Sequence, residues 1–168
     1  MDYLTQIVDP PPSRTQLLLD GVRALRKPKL DGEPLLPKER LVRSAVELSA
    51  VGIAAYGRAC GFRREQGVPL SYPHVLAFPL HLMLLTRPSF PYPASGMVHL
   101  ANRIRQHQRL HEGQALRLEV YAERWVAHPK GQALSIATRA YSAGTLAWES
   151  DSLYPVSYTH LTLPTSDL

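Results

Sequence analysis

Seven histidines are spread along the 168 residues, and three of them stand in or beside apolar segments where an imidazole could do chemistry. They are His74 in "SYPHVLAF", His81 in "LHLMLL" and His99 in "GMVHL". A neutral imidazole held between a helix and a sheet can pass or orient a proton, and Tyr72, His74 and His99 together could line a channel at that seam. A hydrogen-bonded, half-buried structural role fits the same pattern equally well. The spacings are mixed and no acidic residue lies close in sequence, whereas zinc sites show tight ligand pairs, so no metal is expected. His107 and His111 are four apart, a spacing that would share a helix face. The surrounding "RIRQHQRLHEG", however, reads as a strand end entering a turn, which makes them part of a solvated hairpin. Arg103, Arg105 and Arg109, with Lys130 beyond the next strand, offer guanidinium and ammonium groups to phosphates; the competing reading is a basic strand edge that discourages edge pairing. Ser95 in "PASGMVH" lacks the Gly-x-Ser-x-Gly turn of a nucleophile elbow. The single cysteine, Cys60, excludes an internal disulfide, and "YGRACGF" suggests a small buried residue in place of a nucleophile.

Composition narrows the classes further. With 45% hydrophobic and 20% charged residues the chain reads as globular. Its longest apolar run, from Val75 to Leu85, is interrupted by Pro79 and His81 and is too short to span a bilayer. The start, "MDYLTQIVDPPPSRTQ", lacks the basic and apolar regions of a secretory signal, so a cytoplasmic protein with no membrane partner is expected. The formal charge of +5 is scattered, with "RKPK" the only dense cluster and no interleaving of basic and aromatic residues, so nucleic acid is not expected as a partner.

The elements that would position these residues are legible from periodicity. Residues 1–37 combine "DPPPSR", "RKPK" and "DGEP" around Leu17 to Leu25, where Leu18, Val22 and Leu25 fit one helical face; this predicts an extension or linker with one short helix. "LVRSAVELS" predicts a strand, and "AVGIAAYGRACGF" a helix capped by Gly61. Pro79 predicts the start, and Pro88 the end, of a mainly buried helix over Pro79 to Thr86. Period-two patterns then predict four successive antiparallel strands, "MVHLANRIRQHQRL", "QALRLEVYAERWVAH", "ALSIATRAYSAG" and "TLAWESDSLY", joined at Gly113, Gly131 and Gly144. In the second strand Arg117, Glu119 and Tyr121 alternate with Leu116, Leu118 and Val120, as one wet face requires. The fold class is α+β, an antiparallel sheet wrapped around a central helix.

That order, over roughly Leu41 to Tyr154, resembles a hot-dog domain of the MaoC-like acyl dehydratase family. The resemblance is carried by "AAYGRACGF", "LSYPHVLAFPLHLMLL", a "VH" strand, the "RLHEG" and "HPKGQA" turns, and a final strand pair about a short Gly turn. It implies reversible addition of water to a trans-2-enoyl-CoA with no metal or redox cofactor, coenzyme A entering only as the substrate's thioester. Such chemistry needs a carboxylate and an imidazole to handle water, and backbone N–H donors for the enolate-like oxygen. In the family that pair comes from Asp-x-Asn-Pro-x-His, and none of Asp2, Asp9, Asp20, Asp31, Asp151 and Asp167 opens such a motif. No catalytic residue is therefore assigned, and the resemblance implies the amino-terminal, substrate-shaping half of a double hot dog. Its substrate-binding candidates are Tyr72, His74, His99, Arg103 and Arg105, and its partners acyl-CoA and a second hot-dog half, fused or separate, or a second copy. The alternatives are a freestanding thioesterase using Glu47, Glu65 or Glu119, and a noncatalytic acyl-CoA binding module.

The carboxy terminus is of a different kind. "VSYTHLTLPT" over residues 156–165 looks like the codon-for-codon translation of a transposase sequencing adapter. The expected organisation is an extension over 1–37, a hot-dog domain over 38–155 and a non-native tail over 156–168, the missing Asp and His lying beyond the cut.

Overall fold

The computed structural model describes residues 2–24, 35–93, 97–129 and 131–157. Its centre is the most apolar helix of the chain, α3 (Tyr72–Thr86), against which the sheet curls. Before it come strand β1 (Leu4–Ile7), helix α1 (Arg14–Ala24), strand β2 (Glu39–Glu47) and helix α2 (Ala50–Cys60). After it come β3 (Ala101–Gln106), β4 (Ala115–His128), β5 (Gly131–Ser142) and β6 (Thr145–Ser157).

The six strands form one sheet in the order β1-β2-β4-β5-β6-β3, with β1 parallel to β2 and every other pair antiparallel. The three long strands put alternate residues inward: Leu116, Leu118 and Val120 from β4, Leu134, Ile136 and Ala140 from β5, and Trp148 from β6 are fully buried. They meet Ala77, Leu80 and Leu84 of α3, also fully buried. The Trp148 indole N–H donates to the Leu70 carbonyl at 2.8 Å, which ties the sheet to the turn that starts α3.

Several expectations change. The central helix starts at Tyr72, not at Pro79: Pro73 takes the first-turn position, and Pro79 sits inside the helix. A proline removes one intrahelical N–H, and burial on most sides of α3 outweighs that loss. β3 and β4 are not a hairpin, because β3 crosses to pair with β6 (Ile104 opposite Ser150) while β4 lies between β2 and β5. "RLHEG" is therefore a crossover, with Gly113 at φ 77°. His107 accordingly pairs across to β6, its Nε2 3.0 Å from Glu149 Oε1. Cys60 is exposed at the end of α2 instead of buried.

The extension also carries β1, which no periodicity announced in four residues. Tyr3 donates its hydroxyl to the Ala122 carbonyl at 2.8 Å, and Asp9 accepts the Ser44 N–H at 2.8 Å. In α1 the apolar side with Leu18 and Val22 faces outward, and Ala24 is the buried residue. Residue Leu25 and the "RKPK" and "DGEP" segments, Lys130, Ser95, and residues 158–168 of the tail lie outside the described residues. Val156 belongs to β6, pairs with Gln132 and is buried.

Candidate functional site

On α3, His74 and His81 are seven residues apart, two turns along one face, so both turn toward the inner side of the sheet. Their rings meet edge to face with centroids 5.1 Å apart. His99, just before β3, closes the group: its ring lies 5.1 Å from His74 and stacks on Tyr154 of β6 at 5.0 Å. Phe78, one turn after His74 on α3, borders both His74 and His81. The sheet beneath is polar at this place, since the inward positions Thr138 of β5 and Ser150, Ser152 and Tyr154 of β6 are all buried.

His81 is fully enclosed, with Nδ1 3.1 Å from the Tyr154 hydroxyl and Nε2 2.8 Å from Thr138 Oγ1. Two hydroxyls satisfy a neutral ring whichever nitrogen carries the hydrogen, because each can donate or accept. Burial drives the His81 pKa far below the ordinary histidine value, and the neighbouring His74 and His99 push the same way. His74 is pushed down to about 4, first by burial and then by His99. Burial lowers His99 as well and raises the Tyr154 hydroxyl. At neutral pH the seam thus holds three uncharged imidazoles and a protonated phenol.

Two polar atoms of the seam are left over, Ser150 Oγ and His74 Nδ1. His74 Nδ1 is buried without a hydrogen-bond partner, a costly state that a ligand donor or acceptor would relieve. Among the described residues no group of three His, Cys, Asp or Glu side chains is arranged to hold a metal ion. The carboxylates of this region lie on the other side of the sheet. Glu119, a candidate acid for a thioesterase, pairs there with Arg40 at 3.4 Å and Arg117 at 2.5 Å. Glu119 is itself buried beneath these ion pairs, while its face of β4 is otherwise the expected wet one, with Ala115 and Arg117 exposed. Glu47 and Glu65 are exposed elsewhere.

Of the five residues singled out as substrate contacts, the fold brings His74 and His99 together. Tyr72 is buried on the far side of α3, its ring 5.5 Å from Tyr56 of α2 and its hydroxyl turned to Ser49 and Gly52. Arg103 and Arg105 share a face of β3 with the Asp151 and Glu149 they oppose on β6, away from the histidines, and Arg105 pairs with Glu149 at 3.6 Å. Tyr154 and Thr138 were not singled out in the sequence. Their signal was present: in "ESDSLY" the inward parity carries Ser, Ser and Tyr, too polar for a strand buried against a helix unless partners face it.

Comparison with known proteins gives this geometry a context. No protein-family profile matches the chain. Over 113 residues it is 30% identical to 3-hydroxyacyl-thioester dehydratase X of Mycobacterium tuberculosis, a match covering 67% of this chain and 40% of that protein. The crystal structure of HtdX from the same organism superposes with a TM-score of 0.64 at 27% identity, over 71% of this chain and 51% of that one. These likenesses are consistent with the MaoC-like acyl dehydratase family. Two further structures show the same fold: the (3R)-hydroxyacyl-ACP dehydratase complex HadBC of M. tuberculosis has a TM-score of 0.54 at 14% identity, covering 66% of this chain and 89% of that one. The (R)-hydratase of A. caviae has 0.50 at 15%, covering 76% and 99%. The sheet around α3 is thus a hot-dog fold, as the sequence resemblance implied. This hot-dog domain spans about half or less of the length of the M. tuberculosis dehydratase it matches.

Proposed function

We propose that this hot-dog domain is the substrate-shaping half of an acyl-thioester hydratase or dehydratase, working in the cytoplasm on acyl-CoA. The observation that carries this reading is the neutral seam of His74, His81, His99 and Tyr154, which has a free acceptor or donor at His74 Nδ1 and, among the described residues, no carboxylate beside it. Hydration of a trans-2-enoyl thioester puts the oxygen of water on Cβ and a proton on Cα, so a base must take one proton from water as an acid delivers another. An imidazole with a pKa of about 4 is a weak base near neutral pH, and His81 already spends both nitrogens on hydroxyls. These groups can orient a thioester or an enoyl chain and keep water out. The acid and base would come from a second hot-dog unit, fused or separate.

The place for that unit is the β3 side. β3 is an edge strand, and Leu70, Val75, Phe78, Val98 and Leu100 expose apolar surface around it and along the neighbouring part of α3. His99 lies within this belt, so a second unit seated here would close over the seam.

The test is hydration of crotonyl-CoA, followed by loss of the enoyl-thioester absorbance. The chain alone is expected to be inactive, and to become active when a hot-dog unit carrying Asp-x-Asn-Pro-x-His is supplied. Hydration by the chain alone would overturn the proposal, and release of free thiol would point to a thioesterase. Acyl-CoA should raise the thermal midpoint of the isolated chain, since a ligand bound only by the native state stabilises it.

A further inference from the structure

Large apolar side chains left in solvent gather at both edges of the sheet. At the edge opposite β3 they are Leu4 and Ile7 of β1 and Leu18, Leu19 and Val22 of α1, each between 48% and 75% exposed. α1 lies beside β1, since Gln6, Asp20 and Arg23 line one cavity between them. Leu17, Gly21 and Ala24 are the better-covered side of α1, which leaves Leu18, Leu19 and Val22 as an outward stripe.

β1 itself is an open edge. The Leu4 and Val8 N–H groups donate to the Lys38 and Val42 carbonyls at 2.7 Å, so by strand alternation the N–H and C=O groups of Thr5 and Ile7 point away from β2. They meet no partner among the described residues. The side chains alternate as well. Val8 joins the core and Gln6 accepts from Arg87 at the end of α3, whereas the Tyr3 ring lies 4.8 Å from Tyr121 on the outer face. Leu4 thus belongs to the inner side and Ile7 to the outer, and the strand is apolar on both. Sheet edges are usually guarded by a charge, a proline or a bulge, and "LTQI" has none of these.

We propose that β1 is the interface between two copies of this chain, paired antiparallel about a two-fold axis so that their sheets become one. With Thr5 of one copy opposite Ile7 of the other, each outward N–H meets an outward C=O, and the symmetry repeats the pair. A second copy suits this strand because Thr5 and Ile7 sit symmetrically about Gln6 and no charge within it faces its own image. The α1 stripe supplies area that a strand of 4 residues lacks. Counted on both copies, the exposed side chains of the two elements approach the roughly 1,000 Å² of a specific interface. The surface shares no residue with the histidine seam or the β3 belt, so it stands or falls independently of the reading of either.

Sedimentation velocity of the full chain over a range of concentrations tests it. A dimer that forms as concentration rises is expected for the parent. Thr5→Pro removes an N–H that faces away from the ladder, where proline is tolerated, and should abolish the dimer. Ile7→Lys places a charge on the edge and should raise the dimer Kd about tenfold or more. Leu100→Asp, at the β3 edge, should leave the dimer in place. Ile7 is 67% exposed, so Ile7→Lys should keep the parent's thermal midpoint at concentrations below the dimer range, which separates loss of pairing from loss of fold. A chain that stays monomeric throughout, a dimer that survives both β1 variants, or a dimer lost in Leu100→Asp would each overturn the proposal.

Discussion

His81 shows how single atoms set the character of the seam. Both its nitrogens are held by hydroxyls inside the core, so removing one hydroxyl leaves a buried ring nitrogen without a partner. Tyr154→Phe should therefore cost about 1–3 kcal/mol, read as a fall in the denaturant midpoint at unchanged slope. An unchanged midpoint would mean that the Tyr154 hydroxyl does not support His81. The same chemistry predicts a pH dependence. His74 has a folded pKa of about 4, below the ordinary value of 6.5, so on acidification the unfolded chain takes up its proton first. Stability is then retained above about 6.5 and lost as pH falls toward 4, with His81 and His99 acting in the same direction. His74→Gln should flatten the dependence of thermal midpoint on pH across this window. Part of this was legible in the chain: the three histidines stood in apolar segments that had to pack together. Which inward residues would meet them was not, because Tyr154 lies 73 positions from His81.

At the scale of elements, packing overrules local preference more than once. Gly52 of α2 is a poor helix former on its own, and an alanine there would ordinarily help by about 1 kcal/mol. Here a Cβ would collide with the hydroxyl of the buried Tyr72, while Ser49 caps the helix through the Gly52 N–H at 3.2 Å. Gly52→Ala is accordingly expected to destabilise by about 1–3 kcal/mol, as overpacking does, and a higher midpoint would contradict the close α2–α3 contact. On the outer face of the sheet, Arg139 of β5 joins Glu123 of β4 to Glu149 and Asp151 of β6 at 3.0 to 3.3 Å. Arg139→Met would leave three carboxylates facing each other around a half-dry site. A loss of about 1–3 kcal/mol is expected, partly recovered in high salt, and a salt-independent loss would show that the arginine acts by packing alone. Pro79 belongs with these cases. Read locally it marks a helix start; read in the fold it is an interior residue whose missing N–H is outweighed by burial.

For the molecule as a whole, the exposed apolar belt beside edge strand β3 predicts association. Leu100 is 54% exposed and Val98 67%, so charges placed there should leave the isolated fold intact. Leu100→Asp, or Val98→Asp, is expected to abolish pairing with a second hot-dog unit in sedimentation measurements, with the monomer's thermal midpoint unchanged. Pairing that persists in both variants would place the partner elsewhere. What the amino-acid sequence determined by itself was everything carried by short-range pattern: the α2 helix with its Gly61 cap, the three long strands with their glycine turns, the α+β class, and the absence of Asp-x-Asn-Pro-x-His. What only the tertiary structure decided was everything set by register and neighbours. Strand parity sent Arg103 and Arg105 to the outer face, His99 reaches the inner seam from the segment ahead of β3 where that alternation does not apply, and the crossover after β3 made that strand an edge. Period-two alternation names two faces without saying which is covered, and only the packing of α3 against one of them breaks that symmetry.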